Sequence, residues 1–234
     1  MATYVLVHGA WHGGWMWGAV ARELRAAVHD VFTPTLTGSG ERVHLASPEI
    51  GLDTHILDIL NVFRYENLSD VNLVGWSYAG MVITGVAEQV PEKIHQLIYL
   101  DCFVPENGQS LADVLGPEIT AMAGQLAAAY GDGWRVPYYP PGADRTTDFP
   151  LKAAQQPVTI DNPQAAQLPR TYVHFTAKPP DDVYKGIFER IAARARGEGW
   201  NCREMAAAHD GIFTAPHDVA TLLLELGGAR LAPE

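Results

Sequence analysis

Val74-Gly75-Trp76-Ser77-Tyr78-Ala79-Gly80 decides the fold. Val71 to Val74 has the composition of a short buried strand, and Tyr78 to Gln89 that of a helix. A serine at the tip of such a strand-turn-helix matches Gly-x-Ser-x-Gly, the nucleophile elbow, where small residues are needed because the two backbones nearly touch. Ala79 fills the last motif position and Gly80 follows it. Alanine is still small enough for the crossing, so the motif is relaxed but kept. The plainer alternative is an ordinary turn that happens to hold a serine, and only the rest of the chain separates the two.

Working outward, Thr3 to Val7 reads as a strand feeding the glycine-rich loop His8-Gly9-Ala10-Trp11-His12-Gly13-Gly14, and Trp15 to Val28 as a helix with Val20, Leu24 and Ala27 on one face. Asp30 to Pro34 is a second strand and Leu52 to Arg64 a second helix. Ile94 to Leu100, ending at Asp101, is the strand after the elbow helix. Arg170 to Thr176 and Trp200 to Met205 are further strands. A helix started by Asp181 or Asp182 runs to Arg196, and another spans His217 to Leu226. Strands alternating with helices predict an α/β fold, a mostly parallel sheet flanked by helices, with its site at the carboxyl ends of the strands. Between Pro105 and Leu168 the strand periodicity gives way to Ala, Pro, Gly and Tyr, with one helix expected around 110–130. That organisation predicts a core of residues 1–104 and 169–234 and a small inserted cap of residues 105–168.

Composition narrows the partners. Sixteen basic residues against 27 acidic ones, a net charge of −11, disfavour a nucleic-acid backbone or an anionic membrane. The first residues lack the basic start of a signal peptide and no apolar run reaches membrane-spanning length, so a cytoplasmic protein is the expectation. The two cysteines, Cys102 and Cys202, are expected as buried free thiols. His8 and His12 form the one close pair among nine histidines, without neighbouring carboxylates, so no metal is expected. A homodimer is compatible with the sequence.

A serine hydroxyl needs a base within reach and a carboxylate behind that base. His209, in a loop after the last strand, fits the base, and the chain order Ser, acid, His is obeyed. His217 begins a helix and His174 sits within a strand, positions that suit a surface and a core residue. Two carboxylates compete as the acid. Asp101 ends the strand after the elbow among Leu100, Cys102 and Phe103, where it needs hydrogen bonds. Asp181 lies in the loop after the fifth strand, but Ala177-Lys178 takes the first loop positions and helix capping already explains an aspartate there. The balance favours Asp101 and leaves Asp181 open. Backbone N–H groups of Ala10 and Tyr78 are candidates for the oxyanion hole. Trp11, Trp76, Phe103, Trp134 and Tyr138 are candidate substrate contacts, with Tyr139 and Phe149 as further cap aromatics, although packing explains any one of them as well.

With these residues placed, the chain resembles the α/β-hydrolase superfamily, in the branch of plant methyl-salicylate-type esterases and hydroxynitrile lyases with their bacterial esterase relatives. The stretches that carry the resemblance are Val5 to Trp15, the elbow, Tyr99-Leu100-Asp101-Cys102-Phe103-Val104-Pro105, and His209-Asp210 followed by Pro216. The resemblance implies Ser77, His209 and Ala10 in the family roles but gives no substrate; the expectation for the whole chain is a cofactor-free serine esterase acting on a small, apolar carboxylic ester or carbamate. Gly9 stands where hydroxynitrile lyases carry threonine, and Asp210 where they carry lysine, which argues against cyanohydrin chemistry. Trp76 replaces the histidine usual before the nucleophile, leaving packing and substrate choice both open for it. The plant pattern's acid after the fifth strand is absent. A ligand-binding homologue with slow or no turnover, a lyase and a cofactor-free oxygenase on the same triad are the rival readings.

Overall fold

In the computed structural model, residues 1–138 and 145–227 are described. Tyr139 lies outside them. The chain opens with β1 (Thr3–Val7), α1 (Gly18–Ala26), β2 (Asp30–Phe32), α2 (Leu52–Tyr65), β3 (Val71–Trp76), α3 (Ala79–Gln89) and β4 (Ile94–Leu100). Then follow α4 (Leu111–Leu115), α5 (Pro117–Tyr130), β5 (Arg135–Val136), β6 (Phe149–Pro150), α6 (Leu151–Gln155) and α7 (Pro163–Ala166). β7 (Arg170–Phe175), α8 (Lys185–Gly197), β8 (Asn201–Met205), α9 (Gly211–Thr214) and α10 (Pro216–Gly227) complete it.

Six strands form one sheet in the order β2-β1-β3-β4-β7-β8, with every pairing parallel. The sheet is apolar on both faces because successive side chains point to opposite sides. Val5 and Val7 of β1, Val71 and Leu73 of β3, and Leu97 and Tyr99 of β4 join Ile56, Ile59, Met81, Val82, Phe188 and Ile191 of α2, α3 and α8. Tyr4, Leu6, Val74, Trp76, Ile98 and Leu100 face the other way, onto Val20 and Leu24 of α1 and Val219 and Leu223 of α10. Full burial of each such aliphatic side chain contributes about 1.5–3 kcal/mol.

Several element boundaries differ from expectation, each for a local reason. The first helix begins at Gly18, because Gly14–Trp17 forms a 3-10 turn before it. The helix expected around 110–130 is two, broken at Gly116, whose φ of 85° lies in the left-handed region that favours glycine. The helix expected from Asp181 or Asp182 starts only at Lys185, after Asp182 Oδ1 accepts from the Tyr184 N–H. Cys102 is buried, but Cys202 is only half-buried.

The segment between β4 and β7 carries α4 to α7 and the short β5–β6 ladder. It is tied to the sheet layer at several points. Glu88 of α3 accepts from the N–H groups of Asp161 and Asn162. Trp11 Nε1 donates to the Val136 carbonyl at 2.8 Å, and the Thr147 N–H to the Trp11 carbonyl at 2.9 Å. These last two bonds anchor the segment on the loop after β1. Among the described residues, no helix is long and apolar enough to cross a membrane.

Candidate active site

The carboxyl ends of β1, β3, β4, β7 and β8 converge, and each delivers a residue or loop to one place. Three non-glycine residues there adopt left-handed backbone: Trp11 (φ 63°), Ser77 (φ 59°) and Asp101 (φ 47°). Each such conformation costs about 1–3 kcal/mol and persists only where the surroundings impose it. At the elbow the surroundings are visible. A Cβ on Gly75 would lie 3.1 Å from the Ala79 backbone, and one on Gly80 would lie 2.2 Å from the Phe103 carbonyl oxygen. Glycine is thus required before the serine and at position 80, while fully buried Ala79 is accommodated.

Ser77, His209 and Asp101 lie in one hydrogen-bonded line. His209 Nδ1 is 2.7 Å from Asp101 Oδ2, and His209 Nε2 is 3.0 Å from Ser77 Oγ. A carboxylate only accepts, so Nδ1 carries the hydrogen and Nε2 is left to accept from the serine hydroxyl. Asp101 is completely buried, and its Oδ1 accepts from the Phe175 N–H at 3.2 Å and from Lys178 Nζ at 2.7 Å. Asp181 is exposed. The His209 loop is braced from the loop after β7 by the Ala177 N–H, which donates to the Ala207 carbonyl.

Two aromatic rings enclose the imidazole. Trp76 stacks on His209 with centroids 4.9 Å apart and planes at 27°, and Phe188 does so at 4.8 Å and 23°. Trp76 belongs to the apolar layer under α1 and α10, Phe188 to the layer under α2, α3 and α8, so the two rings approach from opposite sides of the sheet. Trp76 Nε1 also donates to the His209 carbonyl at 2.8 Å. Trp76 therefore meets the histidine through both its ring and its Nε1–H.

The loop after β1 is fixed by its own histidines. His8 Nε2 accepts from the Leu36 N–H, so Nδ1 donates to the Gly9 carbonyl. His12 Nδ1 donates to the Ala10 carbonyl at 2.7 Å. Tyr78, one residue after the serine, sends its hydroxyl to His55 Nδ1 at 2.8 Å, while His55 Nε2 donates to the Thr37 carbonyl. Burial pushes His8 down to about 3 and His55 down to about 4. Both are neutral imidazoles whose nitrogens are each engaged. His12 is lowered as well, first by burial and partly by His209.

The aromatic candidates separate. Trp11 and Tyr138 meet edge to face at 6.0 Å, and Trp11 and Phe149 approach at 5.9 Å. Phe149 also contacts Tyr78 at 4.7 Å, so this group stands beside the serine turn. Phe103 is packed on Phe188 at 4.7 Å, one ring removed from His209. Trp134 lies under the Arg135 guanidinium at 5.1 Å, at the junction of α5 and β5. His217 is exposed and pairs with Glu23, and His174 is half-buried rather than core. Phe188, His12, His55 and Lys178 were not singled out as site residues by the sequence. Among the described residues no cluster of three His, Cys, Asp or Glu side chains could hold a metal ion. A groove of about 630 Å³ lined by Leu52, Ile56, Gly85, Glu88, Gln156 and Val158 contains none of the residues of this line.

The profile described as the alpha/beta hydrolase family matches residues 4–222. A carbendazim hydrolyzing esterase from Nocardioides is 38% identical over 247 residues, covering 97% of this chain and 100% of its own. Salicylic acid-binding protein 2 of Nicotiana tabacum is 35% identical over 113 residues, 48% of this chain and 44% of that protein. An extracellular alpha/beta-hydrolase from a Paenibacillus species superposes with a TM-score of 0.80 at 24% identity, covering 97% of this chain and 99% of that one. A pyrethroid hydrolase from Sphingobium faniae gives 0.77 at 18% identity, with 98% of both chains covered. These last two likenesses concern the fold alone.

Proposed function

The chain belongs to the alpha/beta hydrolase family and to its esterases, and from that premise we propose that it cleaves a small, apolar carboxylic ester or carbamate through an acyl-enzyme, without a cofactor. The observation that carries this reading is the line Ser77 Oγ, His209 Nε2 and Nδ1, Asp101 Oδ2, with separations of 3.0 and 2.7 Å. The identity along the whole length of an esterase that hydrolyses carbendazim supports the substrate class.

In this mechanism Ser77 Oγ attacks the ester carbonyl carbon while its proton passes to His209 Nε2. Asp101 holds the Nδ1–H tautomer and stabilises the imidazolium that forms. The carbonyl electron pair moves onto oxygen, and the N–H groups of Ala10 and Tyr78 receive that oxyanion. Loss of one such donor costs about 10²–10³ in rate. Collapse breaks the bond to the alcohol oxygen, which takes the proton from His209. Water, deprotonated by the same nitrogen, then releases the acid and restores Ser77.

The peptide that carries the Ala10 N–H is fixed by the His8 bond to the Gly9 carbonyl, and Tyr78 is held by the His55 bond to its hydroxyl. Residues 105–168 act as the cap over this centre, and Trp11, Tyr138 and Phe149 form the apolar wall on that side. No nucleic acid, membrane or metal enters the reaction, and a homodimer is compatible with it. Turnover of short p-nitrophenyl esters and of carbendazim tests the reading. A burst of nitrophenol equal to the enzyme concentration, followed by a steady rate, is expected. Binding without any steady rate would instead mark a ligand-binding homologue.

A further inference from the structure

Lys178 is the one lysine or arginine among the described residues that is buried, and it is buried against the carboxylate behind His209. Removing an ammonium from water is costly unless it is paired and hydrogen-bonded. Here it is fully provided for. Nζ donates to Asp101 Oδ1 at 2.7 Å and to the Phe175 carbonyl, and it lies 4.9 Å from the centroid of the Phe188 ring. That ring is the one stacked on His209. The lysine therefore touches the carboxylate that meets the imidazole edge and the ring that meets its face.

The two oxygens of Asp101 have different partners. Oδ1 takes Lys178 and the Phe175 N–H, and Oδ2 takes His209. A carboxylate bonded on one oxygen to a fixed cation has its plane set, so the other oxygen is aimed. Without the lysine, Oδ1 keeps a single backbone donor at 3.2 Å, and a fully buried charge loses its counter-ion. On the Oδ1 side, the rotation of the carboxylate away from His209 is then opposed by that one donor alone.

We propose that Lys178 is a positioning residue of the ester cleavage, and that Asp101 orients His209 only as one half of a buried Lys178–Asp101 unit. This rests on the roles proposed above for Ser77, His209 and Asp101. Lys178 touches neither substrate nor the serine. It acts through the carboxylate, in the loop where the sequence offers Ala177-Lys178 in place of an acid.

A double-mutant cycle tests this. Steady-state kcat and KM for p-nitrophenyl acetate are measured for the wild type, Lys178→Met, Asp101→Asn and the double variant, with active sites counted by fluorophosphonate labelling. Methionine keeps the length of the side chain and removes the charge. Lys178→Met is expected to lower kcat by about 10–100-fold, the usual effect of losing a group that orients a reacting one, with KM changed less than about threefold. In the Asp101→Asn background the same change is expected to alter kcat by less than about threefold, because the unit is already broken. Lys178→Arg, which keeps a cation, is expected to recover part of the loss. Equal losses in both backgrounds, or no loss in the first, overturn the proposal. If Lys178→Met does not fold, Lys178→Gln is carried through the same cycle and judged by the same criterion. A wild type that neither turns over ester nor takes the label overturns the esterase reading itself, an outcome distinct from additive losses in an active enzyme.

Discussion

The indole of Trp76 lies flat against the imidazole of His209, 4.9 Å between centroids, and its Nε1–H donates to the backbone carbonyl of the same residue. One side chain thus holds both the ring and the main chain of the proposed base. Substrate contact is not needed to explain it, since Trp76 is 4% exposed. Trp76→Phe keeps an aromatic face and loses the hydrogen bond. We expect kcat for a short ester to fall about 3–30-fold with KM nearly constant, as for an interaction used mainly in the transition state. A rise in KM at constant kcat would instead place Trp76 in the substrate pocket.

Gly9 and Trp76 are two departures from the lyase and plant patterns, and they are physically one. A Cβ on Gly9 would lie 2.8 Å from Cε3 of the Trp76 ring. Gly9→Thr alone should overpack this contact and lower stability by about 1–3 kcal/mol, read from urea or thermal unfolding. Gly9→Thr combined with Trp76→His should recover much of that loss. Additive effects would show that the two positions are independent.

Stability should fall in mild acid. His8 and His55 are pushed by burial from the ordinary 6.5 down to about 3 and about 4. Below pH 6.5 the unfolded chain takes up protons that the fold refuses, so the stability is fully present above pH 6.5. It declines as pH drops, until about pH 4 for His55 and about pH 3 for His8. Each group contributes a slope of about 1.4 kcal/mol per pH unit within its window. Denaturant unfolding between pH 6 and pH 4.5 measures it. His55→Asn is expected to shed its own share of that slope, and an unchanged slope would contradict the assignment.

How much of this was legible in the sequence depended on whether the signal was local. β1, β3 and β4 are short apolar runs between turn residues, and period-2 burial on two faces follows from those runs alone. The elbow carried its own motif, and Asp101 and His209 stood at strand ends by spacing, which is how the fold brings them to Ser77. The break at Gly116 has no signal along the chain, because a helical pattern continues across a glycine and only its φ of 85° ends the first helix. Lys178 reads locally as a loop position without an acid, and Phe188 carries no local signal of a site. Their relation to Asp101 and His209 spans 77 and 21 residues and exists only once β4, β7 and α8 are packed. The aromatic sandwich of His209 likewise joins the two opposite layers of the sheet, which no pattern along the chain records.

The most direct test of the account is covalent. The folded protein is incubated with a fluorophosphonate, and its intact mass and modified peptide are read by mass spectrometry. One adduct per chain on Ser77 is expected, formed with loss of ester turnover and abolished by Ser77→Ala and, to a large degree, by His209→Ala. A folded protein that turns over esters while Ser77 stays unmodified, or that carries the adduct on another residue, would contradict it.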